Sequence, residues 1–437
     1  RKRERVLLLK CWDIARDVMA LRKGCKRGES IFLFVLDFRD AFYMLPLLPN
    51  ERQYFTAYHG GKWYVWSRVA QGSLNGPNAF GRLAALTGRM TQGFVDHAAA
   101  RVQIYTDDPC TVLKGDLKIV RRNVTIMALF WLALGWGLSF HKGQRGQSVN
   151  WIGYHYIISR TAVEVSIKES FMEQFSQDVK RLLGQRRIQN QELQSFAGRT
   201  NHIANLLYAW RPFIADLWAA IYDRKRVGSS RVWVKQFLHV LTWLTMFLDR
   251  QRGTLKRSWT FSAWLYPLNA MTMILDASPY GLGGVLLQGD KILSHFSSDL
   301  TQLDEDRFGH RIGEDTGQQV WEALCILVAL SVWKREWATQ QCTLTIKSDN
   351  ISALIMASKL KITCSALISR EVALILSEAS FMPRHVIHVP GVMNTRADAL
   401  SRLSAPGSRY KIPAPLLSVS RARPEQRTVA FYSTLAV

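Results

Sequence analysis

Two adjacent carboxylates, Asp107 and Asp108, stand between apolar runs in the stretch "IYTDDPCTVL" (104–113). Like charges side by side repel, and apolar flanks make their desolvation costly. Two local arrangements satisfy this constraint. One is a polar hairpin turn, since Asp is a common turn residue. The other is a cation site that holds both carboxylates ionised. In either case "RVQIYTDD" and "PCTVLKG" read as strand, turn and strand. Pro109 follows the acids directly, and its missing N–H removes a ladder donor at the turn.

A third acid, Asp37, lies near the end of "IFLFVLDF" (31–38), a continuous apolar run of the kind a buried strand shows. With that strand beside the 102–113 hairpin, three carboxylates converge on one spot. Such a cluster is too repulsive to stand alone and implies divalent cations. Oxygen-only ligation favours Mg2+ or Mn2+ over zinc. Two such ions can clamp the attacking and leaving oxygens of an in-line phosphoryl displacement. The charge balance points the same way. The chain carries 57 Lys and Arg against 34 Asp and Glu, a net +23 with a pI near 10.0. That excess fits a polyanionic partner, nucleic acid before membrane, with a merely basic protein as the bland alternative.

At 437 residues the chain is long enough for two or three domains, and 48% hydrophobic content excludes wholesale disorder. The cysteines, Cys11, Cys25, Cys110, Cys325, Cys342 and Cys364, are scattered without zinc-ligand spacing. A reduced intracellular chain is expected. Arg1 in place of a start methionine suggests a fragment or processed product, and no secretory signal is visible. The uncharged stretch "VTIMALFWLALGWGLSF" (124–140) is slightly short for a bilayer and ends in glycines. It reads as a buried helix running into a turn, so no stable membrane insertion is expected. "GGKWYVW" (60–66) reads as a hairpin arm and "NGPNAFGRLAALTGRM" (75–90) as turn residues leading into a helix. The pattern is helical from about 165 to 255 and strand-rich again from about 270. The segment after 404, rich in Pro, Ser and Arg, reads as extended or disordered.

Four stretches, "VLDFRDAFYMLPL" (35–47), "QGSLNGPNAF" (71–80), "IYTDD" (104–108) and "WIGYHY" (151–156), resemble, in order, the consecutive motifs of reverse transcriptases from long-terminal-repeat or related retrotransposons. The resemblance implies a metal-binding triad of Asp37, Asp107 and Asp108. It implies that the backbone at Asp40 and Ala41 meets the incoming deoxynucleoside triphosphate. Phe42 would be a bulky gate against a ribose 2′-OH, with an ordinary core aromatic as the rival account. Gln71 and Gly72 would support nucleotide and template. Lys142 matches a lysine near the active site, or is a plain surface lysine. Trp151, Ile152, Gly153 and Tyr154 resemble the hairpin that grips the primer end. The stretch 193–218 resembles a thumb and connection segment whose Arg and Trp residues track a duplex backbone, with ordinary helix packing as the alternative.

The second block repeats the pattern of acids at element ends. Asp276 lies in "ILDAS", Glu322 on the helix "QQVWEALCILVAL", Asp349 after "LTIKS" and Asp398 in "HVPGVMNTRADALSR". These resemble the RNase H domain that follows reverse transcriptase in retroelements, where such acids hold two Mg2+ ions. Glu314, in the acidic loop "DEDRFGHRIGEDTG", is the rival for the second acid. Glu322 is preferred because its helix can present it inward. His388 is read as structural.

The resemblance covers about 31–403 and implies an α+β chain. Residues 1–160 would be a palm with partial fingers, 161–262 a helical thumb or connection, and 263–403 an α/β RNase H-like domain, followed by the 404–437 tail. It departs from the family in an incomplete region ahead of Asp37, in "AQG" where a proline usually precedes the glutamine, and in Pro109. Arg1, Lys2, Arg3, Arg22 and Lys23 match no motif. The expected function is RNA-directed DNA polymerisation with hydrolysis of RNA in an RNA–DNA hybrid. RNA template, DNA primer and hybrid would be the partners, in a cytoplasmic particle or the nucleus. A decayed or co-opted copy that binds nucleic acid without catalysis is the alternative.

Overall fold

The computed structural model describes residues 8–222, 230–265, 270–337, 341–360, 365–379 and 385–435. Arg1, Lys2, Arg3 and Cys364 lie outside them. The described elements mix helix and sheet in an α+β chain that divides into two compact units, Arg1–Lys168 and Glu169–Val437.

The first unit is built on an antiparallel sheet. Helix α1 (Cys11–Arg22) precedes strand β1 (Ser30–Val35). An exposed hairpin follows, β2 (Thr56–His59) and β3 (Lys62–Val65), turning on Gly60 and Gly61, both at positive φ. Helix α2 (Gly76–Phe94) leads to β4 (Ala100–Tyr105), β5 (Asp108–Gly115) and helix α3 (Leu117–Ala133). Strand β6 (Gln144–Gly146) completes the sheet in the order β4-β5-β1-β6. Strands β7 (Ser148–Trp151), β8 (Tyr154–Ile158) and β9 (Ala162–Ile167) form an antiparallel meander.

Period-two alternation turns Thr111 and Leu113 of β5 to the same face, toward α3. Thr111 donates to Met127 Sδ of α3 at 3.8 Å, and Leu113 joins the cluster of Phe38, Phe80, Met127 and Trp131. Each such fully buried side chain contributes roughly 1.5–3 kcal/mol of apolar transfer. The 124–140 stretch is a helix running into a turn, with α3 ending at Ala133 and a short strand at Gly137–Leu138, but the helix is not buried as expected: Met127 and Trp131 face the core while Leu129 and Leu132 are exposed. Among the described residues no helix is long and apolar enough to cross a membrane.

The second unit opens with helices α4 (Glu169–Leu183), α5 (Asn190–Ala204), α6 (Arg211–Ile221) and α7 (Leu238–Leu248). Its sheet comprises β10 (Ala270–Ala277), β11 (Gly281–Gln288) and β12 (Lys291–Asp299), then β13 (Thr343–Ser348), β14 (Val386–His388) and β15 (Ser420–Arg421). Helices α8 (Gln302–Phe308), α9 (Gln318–Val332), α10 (Ile351–Lys359), α11 (Ala366–Ala379) and α12 (Thr395–Ser401) intervene. The sheet order is β14-β13-β10-β11-β12-β15, antiparallel through β10, β11 and β12 and parallel elsewhere.

Helix α12 lies so close to β11 that a Cβ on Gly283 would meet Ala397 O and Ser401 N, each at 2.5 Å. Gly284, pointing to the other face, lies under the Phe296 ring and Leu275. Val285 packs with Leu400 below, while Leu282 and Leu286 join the α9 core above.

Three boundaries differ from the sequence reading. The first unit continues to Lys168 rather than ending at 160, because 162–167 is a strand whose Ile167 pairs with Tyr154. The helical stretch and the strand block, separated at 262/263 from sequence, form one unit. Arg252 bonds Glu371 at 2.6 Å and Arg370 bonds Asp216 at 3.3 Å across them. The tail, read as extended or disordered, is ordered: β15 extends the sheet edge beside β12, and Arg427 sits in a buried ion pair with Asp304.

Candidate metal centres

Asp37 follows β1 after one intervening residue, Leu36. The turn between β4 and β5 is closed by the pair Tyr105 and Asp108, leaving Thr106 and Asp107 at its tip. Thr106 sits at φ +52, an uncommon conformation for a β-branched residue. Its hydroxyl donates to Asp107 Oδ1 at 2.8 Å, which fixes that carboxylate on the turn. The turn is tied to the residues flanking Asp37, as Phe38 N donates to Asp107 O at 2.9 Å and Leu36 N to Pro109 O at 3.1 Å. Pro109 therefore still serves the ladder through its carbonyl.

The three aspartates are half-buried. Burial, with repulsion from Asp107 and Asp37, pushes Asp108 up to about 6, and Lys142 opposes the rise. Lys142 Nζ lies 3.1 Å from Asp37 Oδ2. Trp151 Nε1 donates to Asp108 O at 3.0 Å, so the 151–154 hairpin is fastened to the same turn. At its tip Ile152 and Gly153 take positive φ, and the flanking Trp151 and Tyr154 are buried.

The remaining first-unit candidates surround different features. Asp40 adopts a left-handed conformation at φ +54 ahead of a short turn of helix that begins with the buried Ala41. Phe42 stacks on Phe80 with ring centroids 4.8 Å apart and packs against the apolar cluster, as an ordinary core aromatic does. Gln71 and Gly72 form an exposed turn ahead of α2, with Gly72 at φ +89.

In the second unit, parallel strands β10 and β13 end side by side, with Ile274 opposite Lys347. Asp276 and Asp349 are thus delivered to the same end of the sheet. Glu322, on the first turns of α9, projects from the helix packed over β10. The ligand atoms of Asp276, Glu322 and Asp349 all lie within 4.8 Å of one another. Asp276 and Glu322 are buried.

Surrounding donors orient these acids. Ser401 Oγ donates to Asp276 Oδ2 at 2.6 Å and Asn394 Nδ2 to Asp276 Oδ1 at 3.3 Å. Gln318 Nε2 donates to Glu322 Oε1 at 3.1 Å, and Ser348 Oγ to Glu322 Oε2 at 3.4 Å. Burial pushes Asp276 up to about 7 despite the Ser401 bond, with Asp349 and Asp398 adding repulsion. Burial, then Asp276 and Asp349, hold Glu322 well above the usual carboxylate range.

Three carboxylates this close, with oxygen donors only, suit a hard divalent cation, which would offset the repulsion among them. The triad could therefore hold a metal ion.

Asp398 is not part of that triad, though near enough to repel Asp276, and its Oδ1 accepts from Arg402 Nε at 2.5 Å. Glu314 is exposed, with Arg311 at 4.0 Å, and Glu322 takes the inward position. His388 Nε2 lies 3.1 Å from Asp349 O, a backbone contact. Ser401, Gln318 and Ser348 also stand in the quoted stretches without an assigned role, since isolated polar residues carry no periodic signal. Asn394 is in the quoted "HVPGVMNTRADALSR" and had no role assigned.

No family model matches the chain. Among solved structures it superposes on the foamy viral protease-reverse transcriptase in complex with dsDNA with a TM-score of 0.42 and 16% identity, covering 82% of this chain and 67% of that one. The foamy viral protease-reverse transcriptase in complex with RNA/DNA hybrid gives 0.41 and 15%, covering 85% and 45%. Among curated proteins, the Gag-Pol polyprotein of Avian reticuloendotheliosis virus is 26% identical over 211 residues, which is 46% of this chain. The chain spans 17% of that polyprotein's length. The chain is a remote relative of that Gag-Pol polyprotein, consistent with a retroelement Pol region.

Proposed function

We propose that the chain is an RNA-directed DNA polymerase joined to a ribonuclease H, from a retroelement. One observation carries the reading: acids far apart in sequence gather at strand ends into two clusters. Asp37 lies with Asp107 and Asp108, and Asp276 with Glu322 and Asp349. In this reading the first unit is a palm with partial fingers, and the second unit joins the helices of a thumb or connection to an RNase H-like sheet. The net charge of +23 supports a nucleic-acid partner. The protein would act inside the cell, in a cytoplasmic particle or the nucleus.

Divalent cations, Mg2+ or Mn2+, would when bound stabilise charge on the attacking and leaving oxygens. The chain's residues bind and orient. Asp37, Asp107 and Asp108 supply carboxylate oxygens where the primer 3′-OH attacks the α-phosphate and pyrophosphate leaves. Lys142, beside Asp37, offsets the cluster's charge. The backbone at Asp40 and Ala41 faces the triphosphate, Phe42 restricts the sugar, and Gln71 and Gly72 support nucleotide and template. The hairpin Trp151–Tyr154, fastened to Asp108, holds the primer end. In the second unit Asp276, Glu322 and Asp349, with Asp398 near them, hold the site where water attacks an RNA phosphate. Hybrid shape and 2′-OH contacts govern recognition there.

Primer extension and hybrid cleavage test the two halves separately. Asp107→Asn and Asp108→Asn should each abolish extension and spare cleavage, while Asp276→Asn and Glu322→Gln should do the reverse. Extension that survives both first-unit changes would overturn the polymerase assignment. Tight hybrid binding with neither reaction would instead identify a co-opted copy that binds without catalysis.

A further inference from the structure

We infer that a cavity beside the Asp276–Glu322–Asp349 triad binds one nucleotide unit of the strand under attack, with its phosphate against Arg402 and Arg409 and its base against Tyr280 and Tyr410. This rests on the nuclease reading and specifies how that site holds its substrate.

The cavity measures about 780 Å³, within the range of small-ligand sites. It abuts the triad: Ala277 follows Asp276, and Gln318 Nε2 donates to both Ala277 O (2.6 Å) and Glu322 Oε1 (3.1 Å). One wall is Tyr280, packed against Gly313. A Cβ at Gly313 would lie 3.2 Å from the Tyr280 hydroxyl, and its φ of +90 also calls for glycine. The loop therefore makes room for that ring.

The opposite wall comes from the tail. Ser408 Oγ donates to Arg402 O at 2.7 Å, and Tyr410 N donates to Ser408 Oγ at 3.2 Å, which folds 405–410 back over the end of α12. Tyr410 remains 46% exposed. The Arg402 guanidinium carbon lies 5.9 Å from the Tyr410 ring centroid while its Nε is taken by Asp398.

A pair of aromatic faces with arginines beside them matches a nucleotide in both its parts. Any base stacks on an aromatic ring, and guanidinium groups bind phosphate. Asp315, also on the lining and exposed, repels a phosphate and so directs it toward Arg402 and Arg409. The wall is held from beyond the cavity, since Ala422 N donates to His295 O at 2.8 Å and Arg427 is locked to Asp304.

The test uses the full chain and a 5′-labelled RNA–DNA hybrid, with binding read by anisotropy in EDTA and cleavage read in Mg2+. The double variant Arg409→Ala, Tyr410→Ala should bind hybrid about tenfold more weakly and raise KM by a similar factor, with kcat within about twofold of the parent. The dependence of log affinity on log salt should become shallower by about one, reflecting one lost phosphate contact. Tyr410→Phe should behave as the parent, and Arg409→Ala alone should account for the salt effect. Both residues are exposed, so unchanged melting is expected. A parent that cleaves while the double variant matches it in binding and KM would overturn the pocket and leave the nuclease reading standing. So would a fall in kcat with KM unchanged. A parent that neither binds nor cleaves hybrid would overturn the nuclease reading and the pocket together.

Discussion

Arg427 donates from Nε to both oxygens of Asp304, at 2.9 and 3.0 Å, although the two residues are 123 positions apart. Their side chains are 2% and 0% exposed. Arg427 also reaches Ser298 Oγ and the Asp299 carbonyl, and the Tyr432 hydroxyl donates to Asp304. The tail is thereby part of the second unit's core. Arg427→Ala would strand a buried carboxylate, and removing one member of a buried pair costs about 3–5 kcal/mol. Urea unfolding of the chain reads that loss. Arg427→Met combined with Asp304→Leu should restore most of it, because no charge is then left unpaired. A loss below about 1 kcal/mol would mean the tail is dispensable to the core.

Ser401 stands in the quoted "HVPGVMNTRADALSR", and the structure puts its hydroxyl on Asp276. Its hydroxyl favours the ionised carboxylate, so Ser401→Ala should raise Asp276 further and weaken Mn2+ binding. Orienting partners of this kind typically change metal affinity by about 10–100-fold. Calorimetric Mn2+ titration of the full chain near neutral pH checks it. Unchanged affinity would show that the serine orients nothing that matters to the cation.

The triad predicts a pH dependence of stability in the absence of metal. Asp276 is raised from an ordinary carboxylate value to about 7, and Glu322 is raised as well. The folded state therefore binds protons more tightly than the unfolded chain. Stability is greatest below the ordinary carboxylate range, near pH 4, and falls as pH rises toward about 7. The loss is on the order of a few kcal/mol. In EDTA the melting temperature should decline across that window, and Mg2+ should flatten or reverse the decline. A melting temperature that rises between pH 5 and 7 in EDTA, and does not respond to Mg2+, would contradict the clustering of these acids (the window is set by the Asp276 value).

Lys142 is more than half exposed, so its pair with Asp37 contributes little to folding, about 1 kcal/mol or less. Its effect should appear in titration instead. Asp108 sits near 6 with Lys142 pulling it down. Lys142→Ala should move the acidic limb of the primer-extension pH profile upward with little change in melting temperature. Extension should rise as pH passes through that value, since the carboxylate must ionise to hold a cation. A profile that stays in place would separate Lys142 from the cluster.

Much of this protein was legible locally. The apolar run 31–38 has the composition of a buried strand, and the structure places β1 there. The Asp107–Asp108 pair suits either a polar turn or a cation site, and the structure puts Asp107 at a hairpin tip with Asp108 in its closing pair, beside Asp37. Phe42 was open too, and stacking on Phe80 gives it a packing role whatever it does for a substrate. The strand 162–167 was absorbed into a helical stretch because six residues carry too little periodic signal.

Sequence alone determined most of the strands and helices, strand 162–167 apart, and which acids sit near their ends, because those follow from side-chain polarity at period two or 3.6 along a local stretch. Only the tertiary structure decided which carboxylates meet. Asp276 and Asp349 come together through the parallel pairing of β10 with β13, Glu322 joins from a helix packed above, and Asp398 is drawn toward Arg402. The tail's place was decided in the same way, since Arg427 is a surface residue by composition until Asp304 gives its charge a buried partner.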